Sequence, residues 1–125
     1  MKHSKLYKLS DTEQVIMEIF WEAEDALTFK EIMTLANEKL NKNWKKQTVN
    51  TYLANLQKAG LLHADKRCAR AYFYSPAYTR EEYTQLCVRG LVEESFDNSI
   101  FNFVSAFTGG KKLSKEDADE LRKLI

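Results

Sequence analysis

The stretch from Trp44 to Gly60, WKKQTVNTYLANLQKAG, decides how the rest of the chain is read. Val49, Tyr52, Leu53 and Leu56 recur at three- and four-residue spacing, which predicts a helix with one buried face. The opposite face carries Gln47, Thr48, Asn50, Thr51, Asn55 and Lys58, with Lys45 and Lys46 at its mouth. Gly60 stands where a residue of positive φ commonly ends a helix. A merely solvated face would carry mostly Glu and Lys. Amides and hydroxyls both donate and accept, as base edges require, and lysines suit phosphates. The pattern is that of a helix that reads double-stranded DNA.

Upstream, two segments end on this helix. Ser10 and Glu13 have capping-box spacing, with Leu9 as the preceding staple residue, and Val15, Ile16, Ile19 and Phe20 follow as an apolar stripe extended by Trp21. Thr28 and Glu31 repeat the pattern and open a second helix to about Leu40 or Asn41, with Ile32, Leu35, Ala36 and Leu40 facing inward. Three helices on short polar links, the third with an amide-rich face, make a helix-turn-helix.

Downstream, HADKRCARAYFYS changes period. Ala71, Phe73 and Ser75 alternate with Tyr72 and Tyr74, which predicts a strand, and Lys66 to Ala69 reads as the turn of a hairpin. A tip bearing Lys66, Arg67 and Arg70 directly after a reading helix has the character of a wing lying along the phosphate backbone. Basic hairpin tips also serve simply to discourage strand pairing.

Pro76 marks a boundary between a winged-helix domain, residues 1–76, and a helical region, residues 77–125. Thr79 and Glu82 cap a long helix with Tyr83, Leu86, Cys87, Gly90 and Leu91 on one face. Ile100, Phe101, Phe103, Val104 and Phe107 crowd a short apolar segment, Gly109-Gly110 breaks it, and Ser114 with Asp117 opens a last helix holding Leu121 and Leu124. These pieces have too little mass for a core of their own, so their apolar faces need a partner. Packing back on the winged domain is one way to cover them; a second copy of the chain, a homodimer, is the more economical one, and its two-fold axis would match a palindromic operator. The expected fold class is therefore mainly α with a small β-hairpin: a winged helix-turn-helix plus a helical dimerisation region.

Composition narrows the alternatives. The 125 residues carry a net charge of only +1, yet Lys42, Lys45, Lys46, Lys58, Lys66, Arg67 and Arg70 face a single acid, Asp65, within one segment. Cys68 and Cys87 lack metal-ligand spacing and read as reduced thiols. No apolar run approaches a membrane span and the N-terminus lacks a signal-peptide core, so no membrane insertion and a cytoplasmic location are expected. His3 and His63 have no nucleophile or paired carboxylates near them, and no Gly-rich phosphate loop is present. No catalytic residue, metal site or cofactor is expected, and the chain does not read as an enzyme. A winged-helix adaptor that binds protein is the other reading, although an adaptor would make the Trp44–Lys58 face more apolar.

With these residues placed, the chain resembles the penicillinase and methicillin-resistance repressor family, which includes copper-responsive members. The resemblance rests on LSDTEQVIMEIFW, WKKQTVNTYLANLQKAGLL, AYFYSPAYTREEY and FNFV. It implies a dimeric winged-helix transcriptional repressor covering operators near resistance or transport genes. It also implies induction through a membrane-bound sensor metalloprotease pathway, with cleavage of an Asn-Phe bond that corresponds here to Asn102-Phe103; the alternative is that Phe103 is interface core and is never cut. Two departures stand out. The chain ends KEDADELRKLI without the cysteine-rich motif of the copper-responsive members, and Gln47 and Asn50 stand where the β-lactam repressors tend to carry basic residues.

Overall fold

The computed structural model describes residues 9–68 and 71–125. Helix α1, Asp11–Glu22, begins at the expected capping box: the Ser10 hydroxyl accepts from the Glu13 amide and the Glu13 carboxylate accepts from the Ser10 amide. Ile16, Met17, Ile19 and Phe20 form its buried face. The same reciprocal bonds at Thr28 and Glu31 start α2, Phe29–Thr34. Leu27–Thr28 is itself a two-residue strand, β1, so Thr28 both ends a strand and caps a helix.

The second helix does not run straight to Leu40. Residues Leu35–Lys39 form a π-helical turn, closed by the Leu40 amide on the Leu35 carbonyl at 3.2 Å. The wider i→i+5 turn adds a residue to the helical phase. Ile32 and Ala36 stay buried, but Leu40 is rotated out and lies 45% exposed, against the inward position expected for it. Asn41 and Asn43 then take φ of +55° and +56°, a left-handed conformation that asparagine tolerates better than most residues.

Helix α3, Lys46–Lys58, buries Val49, Leu53 and Leu56. It ends in a Schellman turn: Gly60 at φ +83° lets its own amide reach Gln57 O at 3.0 Å and the Leu61 amide reach Leu56 O at 2.9 Å. Leu56 and Leu61, on either side of the turn, are both fully buried in the same core cluster.

Strands β2, Leu62–Cys68, and β3, Ala71–Pro76, form the antiparallel hairpin, and β1 adds to the far side of β3 in the order β1-β3-β2. Leu27 pairs with Tyr74 and Thr28 with Phe73. The hairpin is longer than expected: Lys66 pairs with Tyr72 and Cys68 with Ala71, with an irregularity between Lys66 and Cys68. Lys66 to Cys68 are thus strand residues and not turn, because a bulge keeps the ladder going past the point where side-chain alternation fails. Ala69 and Arg70 lie outside the described residues.

This is the winged helix-turn-helix, and its core continues beyond Pro76. Helix α4, Arg80–Ser95, starts at a third capping box, Thr79 with Glu82. Its Tyr83 joins the cluster of Ile16, Met17, Phe20, Ile32, Val49, Leu53, Leu56, Leu61 and Leu62, and Leu86 and Cys87 pack against it. Helices α5, Ile100–Phe107, and α6, Lys115–Arg122, have no buried residue.

Candidate nucleic-acid interface

The direction of α3 is fixed before its first turn. The Asn37 side chain bonds the Trp44 backbone at both ends, Nδ2 donating to its carbonyl at 2.9 Å and Oδ1 accepting from its amide at 2.6 Å. The π turn carries Asn37 to that position, one turn before the left-handed asparagines redirect the chain.

The N-terminus of α3 differs from the other α-helices. Those start on a Ser or Thr whose hydroxyl accepts from the third residue of the helix, whereas Lys45, the cap of α3, supplies no side-chain bond. No acid lies in the first turn. Amide donors without an internal partner, with Lys45 and Lys46 exposed beside them, suit a phosphate group.

Behind that end, Gln47, Asn50, Thr51, Asn55 and Lys58 are exposed on the side away from the Val49–Leu53–Leu56 seam, and Thr48 is half-buried. The Thr51 hydroxyl donates to Gln47 O at 2.9 Å, which leaves its lone pairs as acceptors. Two shallow grooves flank the helix. One, of about 470 Å³, is lined by Lys45, Gln47, Thr48, Thr51, Tyr52 and Asn55. The other, of about 370 Å³, joins Asn50 to the cap residue Thr28, to Phe29 and Lys30 of α2 and to Ala71, Tyr72 and Tyr74 of the wing.

That second groove adds Lys30 and Tyr72 to the residues the sequence singled out. Tyr72 is 51% exposed, and the Lys66 ammonium lies 5.7 Å from its ring centroid. In sequence, Tyr72 looked like one member of an aromatic strand, and only its pairing opposite Lys66 sets it beside a cation.

The wing's two described cations separate. Lys66 shares the Tyr72 side, but Arg67 turns the other way, its guanidinium carbon 4.9 Å from the Phe73 ring centroid and its Nε 3.6 Å from Asp65. It lines a cleft with Glu24, Asp25 and Glu81 that shares no lining residue with either groove beside α3. Successive strand residues point to opposite faces, so neighbours in sequence divide here. Lys58 stands at the far end of α3, about 18 Å from Lys46 at 1.5 Å per residue.

The C-terminal residues named for dimerisation fall into three groups. Ile100, Phe101, Phe107 and Leu124 are 75–83% exposed, and Leu121 is 40% exposed. Phe103 is half-buried, its ring edge-on to Phe96 at 5.6 Å, and Val104 and Leu91 are half-buried. Leu86 instead packs on the winged core. Asn102 is exposed, and its amide donates to the Ser99 hydroxyl at 3.0 Å. Among the described residues no helix is long and apolar enough to cross a membrane.

Comparison with known proteins follows the same lines. A solved structure entitled "Solution structure of the DNA binding domain of the repressor BlaI" is similar at 26% identity with a TM-score of 0.54, over 66% of this chain and 94% of that one. A search of curated proteins finds no match. The model of the penicillinase repressor family matches residues 9–125, and the chain belongs to that family.

Proposed function

We propose that the chain is a homodimeric, sequence-specific DNA-binding repressor of transcription. The observation that carries this reading is the exposed amide face of α3, with an uncapped, lysine-flanked N-terminus and a wing beside it. Similarity to the BlaI DNA-binding domain and membership of a repressor family support it. In this reading the start of α3, with Lys45 and Lys46, seats one phosphate, and Gln47, Asn50, Thr51 and Asn55 meet base edges in the major groove. Lys30, Lys66 and Tyr72 hold the flanking backbone.

Exposure of Ile100, Phe101, Phe107 and Leu124 on short helices without buried residues favours a second copy as their cover. Two reading helices then lie on the half-sites of a palindromic operator, and binding at one raises the effective concentration at the other. The DNA-bearing compartment, the cytoplasm, is where such a chain would act.

Cleavage at Asn102-Phe103, triggered through a sensor metalloprotease pathway, is the mode of induction proposed here. The bond lies in the first turn of an eight-residue helix, so limited local opening would expose it. Cutting there would detach most of α5 and all of α6 from the DNA-binding part and weaken paired-site binding.

The experiment is a binding assay at fixed salt with DNA selected by the full chain from a random pool. Asn50→Ala is expected to weaken binding by about 1–3 kcal/mol and to relax preference at one base. Unchanged affinity and preference would remove Asn50 from the interface, and failure of the parent chain to retard any DNA at low salt would overturn the repressor reading.

A further inference from the structure

The start of α4 is held to the end of α1 by several independent contacts that converge on Trp21. The Trp21 indole Nε1 donates to the carbonyl of Tyr78 at 2.9 Å, in the link that leads into α4. Its ring packs against Tyr83 with centroids 5.2 Å apart and planes tilted by 40°. Its other neighbour is Arg80, whose guanidinium carbon lies 5.6 Å from the ring centroid while Nη2 bonds the Glu18 carboxylate. Tyr83, only 7% exposed, then inserts into the winged core, with Leu86 and Cys87 one turn further along packing on it. An exposed ion pair alone would hold little. A hydrogen bond, a ring contact and a buried anchor acting from different directions fix an angle.

From this arrangement we infer that Trp21, with Arg80, is a positioning element for operator spacing: it sets the angle at which α4 leaves the winged domain, and so the separation at which two reading helices engage DNA. The inference rests on the homodimeric repressor reading. The eight residues of α4 beyond Cys87 span about 12 Å at 1.5 Å per residue, so a change of about 20° at the joint moves its far end by about 4 Å. That exceeds the rise of about 3.4 Å per base pair along one strand. One inserted base pair also turns the second half-site by about a tenth of a turn, since a turn holds 10–10.5 base pairs. A dimer with stiff joints cannot follow both changes, whereas one with loose joints can.

The test uses the full chain and the operator it selects from random DNA, then versions with one or two base pairs inserted between the half-sites. The readout is the ratio of Kd on each inserted operator to Kd on the selected one, alongside affinity for a single half-site and the monomer–dimer constant. The parent chain is expected to lose at least about 30-fold on one inserted base pair, and Trp21→Ala less than about 3-fold, with half-site affinity and dimerisation unchanged. Arg80→Gln leaves the indole in place and should move the ratio in the same direction by a smaller factor; it decides the matter if Trp21→Ala does not fold. Equal ratios in parent and variants overturn the inference while leaving the repressor reading intact. A parent chain that selects no DNA overturns both.

Discussion

The side chain of Asn37 binds the backbone of Trp44 as a strand would, donating to its carbonyl and accepting from its amide. The two residues lie on either side of a left-handed link, and the pair sets where α3 begins. Asn37→Ala leaves two part-buried backbone groups without partners, at a cost of about 1–3 kcal/mol. Asn37→Asp keeps the acceptor but sets a carboxylate against a carbonyl, so it does not rescue. Both variants are expected to lower the denaturant midpoint, and to weaken DNA binding beyond the loss of folded protein. A variant with unchanged unfolding and unchanged binding would refute the positional role.

The division of Lys66 from Arg67 across the wing gives a second expectation. In the proposed reading Lys66, on the Tyr72 side, neutralises a phosphate, and Arg67, over the Phe73 ring beside Asp65, does not. Lys66→Ala should weaken binding to all sequences alike and reduce the slope of log K against log salt by about 0.9. Arg67→Ala should leave that slope within error of the parent. The reverse ranking in a salt titration would show that the wing meets DNA with its other face.

How much of this was legible in the sequence depends on the range of the interactions. The capping boxes at Ser10, Thr28 and Thr79 join residues three apart, and the Gly60 turn is equally local, so spacing alone located four helix ends correctly. Strand β1 was not visible. Two residues have no periodicity, and Leu27 and Thr28 become a strand only by pairing with Tyr74 and Phe73. The π turn at Leu35–Lys39 hid for a related reason: side-chain pattern assumes a constant helical pitch, and Leu40 went astray when the pitch changed. In the candidate interface, the exposed face of α3 could be read residue by residue because one helix face is a local property. Lys30 and Tyr72 could not, since they meet Asn50 only through the tertiary fold.

The bare apolar surface of α5 supplies a third expectation. Phe101 and Phe107 are 79% and 81% exposed in the single chain, so a charge at either site costs the isolated fold little. If a second copy covers them, Phe101→Asp buries an unpaired carboxylate at the interface and shifts the chain to monomer. Sedimentation equilibrium should show the shift, and thermal unfolding should lose its dependence on protein concentration. Operator affinity should fall with it, because the second half-site no longer adds to the first. A Phe101→Asp chain that still sediments as a dimer would place the interface elsewhere.

The last expectation concerns alkaline pH. Burial pushes the Tyr83 phenol well above its ordinary value of 10.0, and its hydrogen bond with Cys87 pushes the same way. Tyr74 is raised too, by burial and then by the neighbouring Tyr72. A folded-state pKa above the unfolded one means that the native chain holds the proton more tightly. The stabilisation is fully present below about pH 10 and is lost as the pH rises above it towards the folded value, at no more than about 1.4 kcal/mol per pH unit per group. Chemical unfolding from pH 8 to 11 should therefore show a stability that falls above pH 10. Tyr83→Phe gives up the bond to Cys87, about 1 kcal/mol at pH 8, yet its stability should fall less steeply above pH 10 by one proton's share. Because Tyr83 anchors α4 to the core, the same loss should appear in the joint. The parent's discrimination between the selected operator and its one-base-pair insertion should narrow at high pH, while that of Tyr83→Phe changes less. Parallel stability curves for the two proteins above pH 10 would show that the Tyr83 proton is not what the fold holds.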